Sequence, residues 1–143
     1  MKPEKLTIQE IFSRERRFLI PLFQRSYVWN LEDQWEPLWE DILRRTEAHL
    51  ERIGKPVEGK VRSHFLGAIV LNVASVQGRG IARSDVIDGQ QRLTTLQLFL
   101  AALRDQSLKL GAAEEGQKLF SRLTSNPDCA PNSDEIFKVW PTN

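Results

Sequence analysis

The segment Val86-Ile87-Asp88-Gly89-Gln90-Gln91-Arg92-Leu93-Thr94-Thr95-Leu96 carries the densest set of chemically useful side chains in this chain. A short apolar run meets a glycine, and polar residues then open a helical pattern. Unpaired backbone N–H groups at a helix start, together with the positive end of its dipole, form a site for phosphate. Gly89 would let a ligand approach the backbone, Arg92 supplies a planar charged donor, and Thr94 and Thr95 add hydroxyls in the first turn. The competing reading is local: Asp88 caps the helix and Gln91 reaches back, since Asp-x-x-Gln is a near relative of the capping box. Pattern alone favours the cap. A cap does not, however, need Gln90 and Arg92 as well, and these side chains place many donors where a helix leaves a sheet edge.

A second group lies in the loop Pro21 to Trp29. Gln24 and Arg25 offer an amide and a planar cation for phosphate or base edges, and Tyr27 and Trp29 offer rings for stacking. The alternative is that the two aromatics pin the loop to the core and that Arg25 pairs a carboxylate. Other candidates are weaker. His49 falls among Glu47 and Glu51 on a charged helix face, and His64 opens an apolar run as a boundary residue. Two histidines and one cysteine give no basis for zinc chemistry. Cys129 sits in a polar loop with no histidine near it in sequence, Trp35 and Trp39 lie on an apolar helical stripe expected to face the core, and no Walker-type loop is present.

The elements that must position these groups follow from periodicity. Thr7 is expected to cap a short helix through Ile8, Ile11 and Phe12, and Phe18-Leu19-Ile20 before Pro21 reads as a strand. Glu32 to Ile53 is helical in pattern, with Pro37 tolerated in its first turn and Gly54-Lys55-Pro56 as its stop. His64 to Val73, apolar on both faces, is expected as a central strand. Gln77-Gly78-Arg79-Gly80 is then a turn, and Asp85 to Asp88 the returning strand of a hairpin. Gln90 to Leu103 is the expected central helix, with Leu98 and Phe99 widening its buried surface. A helix over 112–123, a polar loop through Asn126-Pro127-Asp128 and Ala130-Pro131-Asn132-Ser133, and a strand at Ile136 to Trp140 complete the chain.

The chain has 143 residues, 41% of them hydrophobic and 27% charged, and a net charge of +1. These values suit one compact domain over 1–143 of mixed α/β (α+β) class, and exclude a protein that holds nucleic acid by bulk positive charge. DNA, if bound, would be gripped locally, through Arg25 with Arg14, Arg16 and Arg17. One cysteine permits no internal disulfide. No apolar stretch has signal-peptide character, and Phe65 to Val73 is shorter than the about 20 residues a membrane helix needs. A cytoplasmic setting without membrane contact is expected.

Ile20 to Trp29, His64 to Leu71 and Val86 to Leu96 resemble, in the same order, three signatures of the ParB-related domain at the amino end of GmrSD-type restriction proteins and of SspE-type effectors. The likeness runs from about Thr7 to Arg104. It implies a ParB/sulfiredoxin-like core with a small mixed sheet, and nucleoside triphosphate binding and hydrolysis at the Asp-Gly-Gln-Gln-Arg turn, with GTP preferred. It also implies a role in defence against phage DNA, with nucleotide turnover coupled to the sensing of modified phage or phosphorothioate DNA. By position, Asp88, Gly89, Gln90, Gln91 and Arg92 would form the nucleotide site, with Thr94 and Thr95 beside them and Gln24 and Arg25 facing them. Arg92 would neutralise phosphoryl charge, Gln90 or Gln91 would orient water, and Asp88 would hold Mg²⁺ or that water. By the composition of their loop, rather than by the resemblance, Arg25, Tyr27 and Trp29 would sense DNA.

Members of that family continue into a His-Asn-His nuclease. This sequence has no histidine after His64, so the nuclease is expected in a longer chain or on a separate subunit. Three function classes therefore stand as expectations: an NTP-hydrolysing sensor controlling a nuclease, a nucleotide-gated DNA-binding module, and a ParB-like DNA nuclease.

Overall fold

A computed structural model describes residues 3–54, 63–73, 81–129 and 133–141. The turn expected at Gln77 to Gly80, the Lys55-Pro56 part of the helix stop and Ala130-Pro131-Asn132 lie outside the described residues. The chain divides into two compact units: residues 1–25 with 67–143, and the insertion Ser26–Leu66.

The larger unit is built on a four-stranded mixed sheet in the order β2-β3-β1-β4. The strands are β1 (Arg16–Ile20), β2 (Val70–Val73), β3 (Ala82–Asp88) and β4 (Val139–Pro141). β1 is parallel to both β3 and β4, and β2 is antiparallel to β3. The mixed α/β class expected from sequence is the one observed, and β2 and β3 pair antiparallel as the hairpin reading required. β3 and β4, which flank β1 and run parallel to it, are joined by α3 (Gln90–Lys109) and α4 (Glu114–Thr124), the long helical crossover that strands of one direction in a sheet require.

Alternation along the strands sorts the two sheet faces. Phe18, Ser84 and Val86 are at most 1% exposed, and the register Phe18↔Ser84 puts the first two on one face. With Phe12, Leu93, Leu96, Leu100 and Leu123, they form the core. Phe12 comes from the short helix α1 (Ile8–Phe12), which begins with the expected cap: Glu10 N–H donates to Thr7 Oγ1 and Thr7 N–H to Glu10 Oε2, a full capping box. Its ring meets Phe18 edge-on at 6.0 Å. On the opposite face, Arg17 lies 5.1 Å from the Trp140 ring centre, and Trp140 stacks on Phe137.

Four expectations are corrected. His64 to Val73 is not a central strand; only Val70–Val73 is extended and paired, at the sheet edge. Gly67, at φ +102°, cannot continue a strand. His64, exposed rather than at the boundary of a buried strand, lies 3.7 Å from Asp41. Leu98 is half exposed, because α3 buries a narrower stripe through Leu93, Leu96 and Leu100. In the insertion, a π-helical turn at Leu31–Trp35 leads into α2 (Glu36–Leu50), which carries no buried residue. Trp39 on its stripe is half exposed, so the stripe does not reach a core of its own.

At the amino end of β1, an unexpected polar knot ties three segments together. Lys138 is 1% and Asn126 0% exposed. Lys138 Nζ donates to Asn126 Oδ1 at 2.7 Å and to the Arg14 carbonyl at 3.0 Å, and Asn126 Nδ2 donates to the Glu135 carbonyl at 2.9 Å. Burial pushes the Lys138 ammonium down from 10.5 to about 8. Between those values the unfolded chain holds a proton that the folded chain has lost, so stability rises with pH in that window. Urea unfolding from pH 8 to 10 should show a gain approaching about 1.4 kcal/mol per unit, and Lys138→Met should remove that part of the slope.

The junction of β3 and α3 rests on Gly89, whose φ is +89°. A Cβ there would stand 2.9 Å from the Ala68 carbonyl oxygen and 3.1 Å from Ile69 Cα. Gly89→Ala should therefore cost more than the about 1–2 kcal/mol of a left-handed alanine alone. Gly111→Ala, at φ +63° with open space around it, should cost only that amount. Denaturant midpoints of the two variants check the difference.

Candidate functional site at the carboxyl ends of β1 and β3

In open sheets of parallel strands, ligands bind beyond the carboxyl ends, where loops from adjacent strands leave the sheet. β1 and β3 are such neighbours. β1 leaves into the loop Pro21 to Arg25, and β3 leaves into the Gly89 turn. The pairing of β1 with β3 stops at Leu19↔Asp85, while β3 runs on to Asp88. On its other side, β3 pairs Val86 with Leu71 and Asp88 with Val70, so the register shifts and Ile87 is the extra residue of a bulge. Its carbonyl, outside both ladders, accepts a hydrogen bond from Gln24 Nε2 at 2.9 Å.

The first turn of α3 makes two further ties. Gln90 Nε2 donates to the Arg25 carbonyl at 2.7 Å, and Arg92 Nη1 donates to the Ala68 carbonyl at 2.8 Å. Arg92 also lies flat over Gly67: a Cβ on Gly67 would stand 2.5 Å from Arg92 Nε. The Gln24 side chain and the Arg25 carbonyl thus come to the Asp88 to Arg92 turn. Beside them, an open groove of about 300 Å³ is lined by Leu19, Pro21, Phe23, Asp85 and Ile87.

The capping alternative does not hold. Gly89 occupies the N-cap, no side chain caps the helix, and Asp88 is the exposed last residue of β3. A left-handed residue between Asp88 and Gln90 separates the carboxylate from the N–H groups it would cap. Among the described residues, the Asp88 carboxylate has no hydrogen-bond or ion-pair partner, and Arg25 is exposed with no carboxylate paired to it. Gln90 and Gln91 are 8% and 7% exposed, Thr95 is 1% exposed, and Thr94 is partly exposed. Accessible polar chemistry at the turn therefore belongs to Asp88, Arg92 and Arg25, while Gln90 and Gln24 position the loops. Tyr27 and Trp29 belong to the insertion, Tyr27 exposed and Trp29 partly so.

The wider basic patch is corrected. Arg17 is buried against Trp140. Arg14 precedes β1 and Arg25 follows it, so roughly 16 Å of strand separates the two ends. Cys129 Sγ donates to the Asn126 carbonyl, and His49 is exposed as expected.

Sequence reasoning missed Gly67 and the Ala68 carbonyl as members of this site. The available signal was an isolated glycine inside an apolar run, which marks close backbone approach. It also missed Lys138, whose burial has no local signature.

Among the described residues, no helix is long and apolar enough to cross a membrane. The family model for the GmrSD restriction endonuclease N-terminal domain matches residues 8–141, spanning both compact units. No curated protein matches the chain. The match takes in the whole sheet, the bulged end of β3 and the Asp88 to Arg92 turn, and the chain belongs to the GmrSD restriction endonuclease N-terminal domain family.

Proposed function

We propose that this chain is the nucleotide-handling sensor of a modification-dependent restriction system, binding and hydrolysing a nucleoside triphosphate at the Asp88 to Arg92 turn to control a His-Asn-His nuclease domain or subunit. The observation that carries the reading is the convergence of Gln24 and Arg25 on the Gly89 turn through the Gln24–Ile87 and Gln90–Arg25 hydrogen bonds. The Arg25 backbone, the Arg92 side chain and the exposed Asp88 carboxylate all belong to the start of this twenty-residue helix or to the segments tied to it, which supports the reading.

Phosphates would sit at the N–H groups of the first turn of α3, with Arg92 and Arg25 as charged donors. In hydrolysis the water oxygen bonds to the terminal phosphorus as its bond to the bridging oxygen breaks, and Arg92 offsets the charge that develops. The water-orienting role expected of Gln90 or Gln91 falls better to Asp88, because both glutamines are buried and the Asp88 carboxylate is exposed. Among the described residues, no three His, Cys, Asp or Glu side chains gather as a metal site. Mg²⁺ would enter with the nucleotide, with the exposed Asp88 carboxylate to hold it and charge neutralisation as its contribution. GTP is the proposed substrate. DNA sensing is assigned to Arg25, Tyr27 and Trp29, and the expected ligand is phosphorothioate or otherwise modified phage DNA.

Phosphate release should be measured with each of the four triphosphates, with and without modified DNA, and DNA integrity read in the same samples. Turnover stimulated by modified DNA supports the sensor. Saturable binding without turnover would favour a nucleotide-gated DNA-binding module, and nicked DNA a nuclease. Asp88→Ala is the cleanest variant, since that side chain supports nothing else among the described residues; it and Arg92→Ala should lower turnover by about 100-fold. Unchanged turnover in both would refute the assignment. Tyr27→Ala with Trp29→Ala should weaken phosphorothioate DNA binding by about tenfold or more, read by fluorescence anisotropy.

A further inference from the structure

We infer that the first turn of α3 latches both chain crossings of the Ser26–Leu66 insertion, and that phosphate bound at the turn releases one of them by drawing Arg92 off the Ala68 carbonyl. The second half rests on the nucleotide reading above; the first does not.

The insertion is entered after Arg25 and left before Gly67. Both flanking stems belong to the sheet unit, and each is held by the same helical turn. The entry stem is tied by Gln90 Nε2 to the Arg25 carbonyl at 2.7 Å and, one residue earlier, by Gln24 to the carbonyl of the bulged Ile87. The exit stem is tied by Arg92 Nη1 to the Ala68 carbonyl at 2.8 Å. That contact is possible because Gly67 has no side chain to hold the guanidinium off and Gly89 has none to push Ala68 away.

The two latches differ in chemistry. Gln90 and Gln24 make neutral amide-to-carbonyl bonds and carry no net charge to draw an anion in, and Gln90 is only 8% exposed, so a phosphate oxygen does not reach it, whereas Arg92 is partly exposed. Arg92 makes a charged donor's bond to a neutral carbonyl, and a phosphate oxygen is the stronger acceptor for it. Phosphate at the turn therefore competes for Arg92 alone. The entry stem stays held while the exit stem is freed, so occupancy of the turn is converted into freedom at one end of the insertion.

Hydrogen exchange on the full chain, followed by mass spectrometry, reads both stems. Gln90→Glu keeps the side chain's shape but places an acceptor against the Arg25 carbonyl, and should speed exchange about tenfold in a peptide covering 22–27. Arg92→Gln should do the same at 65–70, and Arg92→Lys, which keeps charge and aliphatic stem, should give a smaller acceleration. β1 and β3 should exchange as in the wild type. Changes below twofold at the stems, or acceleration spread equally over β1, would overturn the latch. Saturating GTP with Mg²⁺ should speed exchange at 65–70 in the wild type, not at 22–27, and add nothing in Arg92→Gln. GTP that binds by calorimetry yet leaves 65–70 unchanged or slower would overturn the release. GTP that does not bind would remove the nucleotide reading and the release together, while the variants still decide the latch.

Discussion

The arrangement at the candidate site depends on one backbone conformation, the left-handed turn at Gly89. It lets β3 become α3 within a single residue, so the first helical turn stands directly against the backbone of Ala68 and Ile69. Any side chain at that position would meet the Ala68 carbonyl oxygen and push the segment away. With it would go the reach of Arg92, whose guanidinium spans from the helix to that same oxygen. The bulge at Ile87 belongs to the same constraint: β3 must change register against β2 just before the turn, and the carbonyl this sets aside is taken by Gln24.

Two polar assemblies occupy opposite ends of β1, and their burial separates their roles. At the amino end, Lys138 and Asn126 are enclosed, and their hydrogen bonds join the loop after α4 to the segment before β1 and to β4. Burying a lysine there costs stability unless its donors are satisfied, and both observed bonds survive in the neutral amine, which keeps two hydrogens. At the carboxyl end, Arg25 on the loop and Asp88 at the end of β3 are exposed and Arg92 on α3 is partly so. The first assembly closes the fold, and the second is open to a ligand. This separation also removes Arg17 from any DNA-facing patch, since it serves as a planar partner for Trp140.

Local signals were readable wherever one element carried all the information. The Thr7–Glu10 capping box, the strand before Pro21, the loop after it and the helix after Gly89 all follow from neighbouring residues. The segment His64 to Val73 was misread because its apolar composition suits a central strand, whereas Gly67 breaks it and the remaining Val70–Val73 lies at an edge. Leu98 and Trp39 were overassigned to the core for a related reason. A helical stripe shows which side chains share a face, but the width of the face that is covered depends on what packs against it.

Composition and local pattern determined by themselves the mixed α/β class, the start of α3 and the residue types at the turn, because propensity, glycine and periodicity act over a few neighbours. Only the tertiary structure decided that Asp88 is a free strand end rather than a cap, that Gln90 and Arg92 each hold a different stem of the insertion, and that Lys138 is buried. Those outcomes join residues far apart in sequence, Arg92 to Ala68 and Lys138 to Arg14. Sheet order and register choose such partners, and neither is encoded in any single segment.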